Sequence, residues 1–174
     1  MKKLFLITAL FGLAQIKAQS FQWAAAQGGT NIDYCNSVAA DAAGNVYITG
    51  NYMGTIDLDP GPGTFTFTNA GFDDAYITKL DASGNFVWAK HLGGTGYDQG
   101  RGITVDASGN ILCTGYFNGP IDFDPGPGTY SLTSVGGGQD EIFMMKLNCI
   151  TTDIQDASFE NNFISSLSLI PFFW

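Results

Sequence analysis

The stretch that decides the fold is Ile56-Asp-Leu-Asp-Pro-Gly-Pro-Gly-Thr64, because it returns almost unchanged as Ile121-Asp-Phe-Asp-Pro-Gly-Pro-Gly-Thr129. The two copies lie 65 positions apart (121 − 56 = 65), and the same shift aligns Phe21-Gln-Trp-Ala with Phe86-Val-Trp-Ala. Such a long match, with its prolines and glycines in register, indicates an internal repeat. Residues 19–150 are therefore predicted to hold two units of about 65 residues, at 21–85 and 86–150.

A shorter element, Asp-x-x-Gly-Asn, occurs three times, at 41–45, 81–85 and 106–110. Runs rich in β-branched and aromatic residues flank each copy, as in Val46-Tyr-Ile-Thr. The Asp carboxylate can accept from loop N–H groups and Gly can adopt a positive φ, so each element predicts a hairpin turn. The predicted strands lie at 37–41, 45–50, 65–68, 75–81, 86–92, 102–105, 110–115 and 141–147, with a lone strand at 21–26.

Four short antiparallel strands per repeat are typical of a β-propeller blade, and the repeats contain no long amphipathic helical pattern. The sequence predicts an all-β fold of about two antiparallel four-stranded β-propeller-type blades, forming an incomplete, open propeller. The first blade is complete over 37–92, and the second lacks its last strand. Closed propellers have four to eight blades, so open edges are expected here, and open edges favour self-association.

The motifs Phe-x-Trp-Ala, "GNVYITG", "DFDPGPGT" and "KLDASGNFVWAK" resemble the SBBP-type β-propeller repeats of secreted Bacteroidetes-like proteins. The resemblance covers residues 21–149. It implies propeller blades and no fixed activity for the family as a whole.

The two ends of the chain differ from the repeats. Residues 1–18 combine Lys2 and Lys3 with a short apolar run, which predicts a Sec-type signal peptide cleaved after Ala18. The alternative is a membrane anchor, for which the run is short. We expect a secreted or cell-surface protein with no membrane insertion after cleavage. Residues 151–174 resemble the linker before a type IX secretion sorting domain, followed by a truncated apolar tail; a frameshift near Ser165 and a naturally short tail both explain this ending.

The charge balance excludes one class of partner. The chain carries 7 basic and 16 acidic residues, for a net charge of −9. Removal of Lys2, Lys3 and Lys17 with the signal leaves 4 basic residues (4 − 16 = −12). Such an acidic surface repels phosphate backbones, so nucleic-acid binding is not expected. Cys35 and Cys113 do not occupy equivalent repeat positions, nor does Cys149, so no disulfide framework is predicted.

The best candidates for a metal site are two pairs of acidic residues, Asp57 with Asp59 and Asp122 with Asp124. Residues i and i+2 of a strand point to one face, so each pair places two carboxylates together, as a calcium site requires. The alternative is a structural turn, since two carboxylates without further oxygens are too few. A glycosidase also uses two carboxyl groups, but an active site duplicated in each repeat is not expected.

Other chemistry is sparse. His91 is the single histidine and lacks a nucleophile motif around it, so a surface strand position is expected. Trp23 and Trp88 are equivalent, and packing between blades is expected for both. These observations favour a non-catalytic structural or binding module for an unknown extracellular protein or glycan, without a resident cofactor. The alternatives are a calcium-stabilised adhesive repeat protein and a secreted glycan hydrolase.

Overall fold

The computed structural model describes residues 18–135 and 138–148. The predicted signal peptide, apart from its last residue, the predicted linker and tail, and Cys149 lie outside the described residues. Within them every regular element is a β-strand, which confirms the all-β prediction. No helix in this part of the chain has the length and apolar character needed to cross a membrane. The strands are β1 Gly28–Gly29, β2 Asp33–Ala40, β3 Val46–Tyr52, β4 Thr55–Asp57, β5 Thr66–Thr68, β6 Asp74–Leu80, β7 Phe86–Leu92, β8 Gln99–Val105, β9 Ile111–Phe117, β10 Pro120–Asp122, β11 Ser131–Thr133 and β12 Glu141–Leu147.

Two antiparallel sheets form the body of the protein. The first sheet has four strands in the order β2-β3-β6-β7, and the second sheet has three in the order β12-β9-β8. The hairpin β4-β5 is inserted after β3, and the hairpin β10-β11 is inserted after β9. β1 adds to β4 as a third short strand. Unclosed antiparallel sheets of this kind are partial propeller blades, as the sequence predicts.

The three Asp-x-x-Gly-Asn elements form the predicted turns. In the first, one Asp41 carboxylate oxygen accepts from the N–H groups of Ala43 at 2.9 Å and Asn45 at 3.0 Å. Gly44 has φ of +84°, a conformation that favours glycine. The same bonds recur at Asp81 and Asp106. The side-chain hydrogen bond from the following Asn is the main cause that holds the pKa of all three aspartates below the usual value.

An apolar core joins the two sheets. Ala75 and Ile77 of β6 pack into one buried cluster with Ile103 of β8 and Cys113 of β9. Trp88 lies at the edge of this cluster, with its ring 6.3 Å from the ring of Tyr47. The second sheet therefore covers one face of the first sheet. Trp88 packs between the two sheets, as predicted.

One strand prediction is wrong. Residues 21–26 form no strand, although they carry the same Phe-x-Trp-Ala pattern as β7. Trp23 instead lies on the turn after β6 and donates from Nε1 to the Ala82 carbonyl at 3.0 Å. β7 is a strand because it pairs with β6, whereas residues 21–26 pair with none of the described strands of their own chain.

Candidate functional site

The second sheet ends at β12, which pairs with β9 on one side. Its other side has no partner strand among the described residues, and we call this side the open edge. A groove of about 460 Å³ runs along the open edge between β12 and the β10-β11 hairpin. Its apolar walls include Tyr130, Leu132, Phe143 and Met145, and we call it the acceptor groove.

The first sheet shows what fills the equivalent place. There β7 lies against β6, and its side chains pack on the β4-β5 hairpin. The Phe65 ring is 4.9 Å from the ring of Phe86, and Phe67 stacks on His91 at 5.5 Å. Tyr130 and Leu132 stand at the positions of Phe65 and Phe67 in the second repeat. The acceptor groove therefore has the walls of a strand site, and no strand of the described part of the chain occupies it.

The outer face of the second sheet is also left uncovered by the residues that the structure describes. Ile142 is 81% exposed and Met144 is 87% exposed. At the equivalent positions of the first sheet, Ala75 and Ile77 are completely buried beneath the second sheet. Leu112, which is also exposed, continues this apolar face, which we call the outer face. Contiguous exposed apolar residues on a sheet mark an interaction surface.

The predicted metal residues close the hairpin loops. Asp57 Oδ1 accepts from the N–H groups of Asp59 at 3.0 Å and Phe65 at 2.9 Å, and Asp59 Oδ1 accepts from Gly61 at 2.7 Å. The loop passes so close that a Cβ on Gly63 would meet the Asp59 carboxylate. Backbone N–H groups thus already bind an oxygen of each carboxylate.

The second pair repeats this arrangement. Asp122 Oδ1 accepts from Asp124 at 3.0 Å and Tyr130 at 2.8 Å, and Asp124 Oδ1 accepts from Gly126 at 2.7 Å. These backbone bonds hold the pKa of Asp122 below its usual value. No group of three or more His, Cys, Asp or Glu residues suited to a metal occurs in the described part of the chain. Calcium binding by either pair stays a prediction.

The structure also buries three aspartates where the two sheets meet: Asp73, Asp74 and Asp98. Asp73 Oδ2 accepts from Asn51 at 2.8 Å and from Gln99 of the second sheet at 2.6 Å. The bond from Gln99 links the two sheets, whereas the bond from Asn51 lies within the first sheet. Neither bond was predicted, because the sequence does not show which acids the folded sheets bury.

Asp98 secures the connection that leads into the second sheet. Its Oδ2 accepts from the Gly94 N–H at 2.7 Å, and its Oδ1 accepts from the Asn118 N–H at 3.3 Å. Burial raises the pKa of Asp98 to about 6. Asp33, one repeat earlier, makes the same bond to Gly29 at 2.6 Å. The sequence did contain a signal for this bond, because the pattern Gly-Gly-x-x-x-Asp recurs at the 65-residue shift.

His91 is on a strand as predicted, and it is only partly exposed. Its side chain is 28% exposed, and Nε2 lies 2.7 Å from Asp74 Oδ2. The ring packs between Tyr52 and Phe67. β7 lies beneath the β4-β5 hairpin, which explains this burial, and the contacts make His91 a packing residue of the first sheet.

Known proteins share these repeats. A family model described as SBBP, a β-propeller repeat, matches residues 22–51 and 87–122. An uncharacterised WD repeat-containing protein of Acanthamoeba polyphaga mimivirus is 28% identical over 136 residues, which is 74% of this chain. The matched part is 10% of that relative, so the chain spans about a tenth of its length.

The chain carries propeller-type repeats. Both family matches fall on the strands of the two sheets, one in each repeat. Propeller repeats of this kind point to a structural or binding module and not to catalysis. The acceptor groove and the outer face are therefore the surfaces of this chain that best fit a binding role.

Proposed function

We propose that this chain is an exported, non-catalytic binding module that takes up an extended segment as an added strand at the open edge of β12. The single observation that carries the proposal is the acceptor groove, whose walls match those around β7 in the first sheet. Strand addition of this type draws affinity from main-chain hydrogen bonds and specificity from pockets for alternate side chains.

The main-chain side of the site is supplied by β12. Its seven residues pair with β9 from Glu141 to Leu147. An antiparallel strand directs its N–H and C=O groups to both sides, so the open edge offers a second set of these groups to a ligand. Native proteins usually protect such an edge, because it is a template for pairing with another chain.

The side-chain part of the site offers an apolar contact near each end of the ligand strand. The Tyr130 ring stands where Phe65 receives Phe86, and Leu132 stands where Phe67 receives His91. The sulfur-containing Met145 lies between them on β12, opposite the position that small Ala89 occupies in the first sheet. A ligand with a large residue, then a small residue, fits these walls.

Export of the module is part of the proposal. It rests on Lys2, Lys3 and the apolar run up to Ala14, with cleavage after Ala18. The linker at 151–162, which resembles the lead-in to a type IX sorting domain, agrees with an extracellular destination. The mass of the mature protein from the culture medium tests export, and the expected N-terminus is Gln19. Retention of residues 1–18 in a membrane fraction would contradict it.

A peptide probe tests strand uptake. The peptide Asn-Phe-Val-Trp-Ala-Lys-His-Leu, which copies residues 85–92, should bind the full chain and shift the backbone amide signals of β12. The control peptide carries Pro in place of the residue that corresponds to Ala89, which removes an N–H and should abolish binding. Equal binding of both peptides, or shifts confined to residues outside β12 and the β10-β11 hairpin, would overturn the proposal.

A further inference from the structure

We propose that the partner at the open edge is a second copy of this chain, whose residues 21–27 supply the fourth strand that the second sheet lacks among the described residues. This inference rests on the function proposed above and names its ligand. We call residues 21–27 the donor segment. It forms no strand within its own chain, and its Phe21 is 83% exposed.

The donor segment has the sequence that the site accepts. Phe21-Gln-Trp-Ala corresponds to Phe86-Val-Trp-Ala, the start of β7. In β7 the residue Phe86 packs on Phe65 and Ala89 is buried against the hairpin side. By the same arrangement Phe21 would pack on Tyr130, while the small residue Ala24 would pass over Met145.

The first sheet also gives the register. β7 pairs with β6 so that Phe86 lies opposite Leu80, Trp88 opposite Lys79, and Lys90 opposite Ile77. Transfer of these pairs to the second repeat places Phe21 opposite Leu147, Trp23 opposite Lys146, and Ala25 opposite Met144 of the other copy. A one-residue slip would reverse the faces, so this register is a specific prediction.

The exposed side of β2 also supports contact between copies. Within one chain, Ile103 of β8 is 9% exposed because β8 packs on the first sheet. Its counterpart Val38 on β2 is 62% exposed. If the donor segment pairs with β12, then β2 of that copy follows it onto the outer face, as β8 follows β7 within one chain. Val38 then meets the face formed by Ile142 and Met144, so the interface between copies continues the interface between sheets.

The donor segment must leave its own chain to do this. In the single chain Trp23 donates to Ala82, and Gln27 Nε2 donates to Leu58 O and to Thr78 Oγ1. These are side-chain bonds on a largely exposed segment. The added strand replaces them with a ladder of main-chain bonds and covers the acceptor groove, so assembly is favoured at high concentration.

The contact is head-to-tail, because one copy uses its N-terminal segment and the other uses its second sheet. Head-to-tail contacts form rings when the rotation closes. Each chain contributes two sheets, and propellers close with about four to eight blades, so the expected ring holds roughly two to four copies.

Molar mass measured by light scattering tests the assembly with the full chain. The mass should rise with concentration toward a ring of two to four copies. Ala25→Pro, in a residue that belongs to no strand of the single chain, should weaken association at least tenfold. Ser20→Pro, just before the donor segment, is the matched control and should leave association unchanged.

The outer face has its own pair of variants. Met144→Asp should also weaken association at least tenfold, because it places a charge where Val38 of the other copy packs. Val135→Asp is the control: Val135 is similarly exposed, and its counterpart Ala70 stays exposed beside the complete sheet. Equal effects of Met144→Asp and Val135→Asp would overturn the packing of β2 on the outer face.

Cross-linking tests the register. Two variants are needed, and both carry Cys35→Ser and Cys149→Ser. The first also carries Ala25→Cys, and the second also carries Met144→Cys. Their mixture should form a disulfide-linked dimer on mild oxidation, and a mixture of Ala25→Cys with Val135→Cys should not. Equal yields from both mixtures would overturn the register.

The results separate this inference from the proposed function. If the chain remains a monomer at several hundred micromolar and yet binds the 85–92 peptide at β12, the partner is wrong and strand uptake stands. If it neither assembles nor binds the peptide, both proposals fail. Assembly that persists in Ala25→Pro and Met144→Asp would also overturn the inference, because another surface would then join the copies.

Discussion

β7 and the donor segment carry the same Phe-x-Trp-Ala pattern and have different structures. β7 forms six residue pairs with β6, and its Ala89 and Leu92 are buried. The donor segment lies outside every strand, and its Ala24, Ala25 and Ala26 are exposed. The pattern itself therefore does not make a strand; a free neighbouring edge and a hairpin to pack on are also required.

β6 and β12 show the same dependence from the other side. β6 has a strand on each side and a sheet over one face, and nearly all of its residues are buried. β12 has one partner strand in the described structure, and its residues alternate between buried or half-buried and exposed. The two strands occupy equivalent positions in their repeats, and β12 lacks, among the described residues, the second strand and the covering sheet that bury β6.

The largest expected difference is between Ile77→Ala and Met144→Ala, at equivalent positions of β6 and β12. Ile77 is fully buried between the sheets, so its truncation should lower the free energy of unfolding by about 2–5 kcal/mol. Met144→Ala should change it by less than about 0.5 kcal/mol in dilute protein. Chemical denaturation at low micromolar concentration measures both, and equal losses would break the comparison.

A smaller difference is expected for Phe86→Ala and Phe21→Ala. Phe86 is half-buried against Phe65, so its truncation should cost about 2 kcal/mol, less than a fully buried phenylalanine. Phe21 is exposed, and its truncation should have no measurable effect on the dilute chain. The same variant should weaken self-association, which light scattering reports separately from stability. A loss of stability in dilute Phe21→Ala protein would show that the donor segment is already packed.

The next effect depends on pH and compares Asp98 with Asp33. Burial raises the pKa of Asp98 to about 6, so the folded protein holds a proton there that the unfolded chain releases near pH 4. Stability from this group is therefore present below about pH 4 and is lost as pH rises toward 6. Asp98→Asn should reduce the fall in melting temperature between pH 4 and 6.5.

Asp33→Asn is the matched control, because Asp33 makes the same bond one repeat earlier and is only half-buried. It should leave that fall in place. The three turn aspartates act in the opposite direction, because their lowered pKa values give stability that is lost only as pH falls below about 4. If both Asn variants changed the fall in melting temperature between pH 4 and 6.5 equally, burial of Asp98 would not be the cause of that fall.

The smallest expected effect is that of a chelator. Backbone N–H groups already bind Asp57 and Asp122, so removal of calcium should move the melting temperature by less than about 1 °C. Calcium added in the millimolar range should likewise move the melting temperature by less than about 1 °C. A clear rise with calcium that disappears in Asp59→Asn together with Asp124→Asn would support the calcium hypothesis instead.

Local patterns made much of this fold predictable. Each Asp-x-x-Gly-Asn element places a strand on both sides, and the strands were predicted to within a few residues at β3, β6, β7, β9 and β12. The short strand β1 at Gly28–Gly29 was not predicted, because its pairing with Ile56 and Asp57 joins residues far apart in the chain. The error at residues 21–26 has the same origin, since pairing requires an edge that the sequence pattern does not show.

The candidate site was predictable in part. The sequence predicts a second repeat that lacks its last strand, and β12 has a free side among the described residues. The groove walls at Tyr130 and Leu132 were not predicted, because their role follows from the contacts of Phe65 and Phe67 with β7. Burial of Asp73 and Asp74 likewise depends on how the sheets and the hairpin meet, and no local pattern reports it.

Hydrogen–deuterium exchange, measured on the donor segment and β12 over a range of protein concentrations, tests the central claim most directly. In dilute protein both should exchange quickly compared with β6 and β7. As the concentration rises, both should gain protection together, because each strand then has a partner in another copy. Protection of β12 at every concentration, with a donor segment that exchanges quickly throughout, would contradict the account.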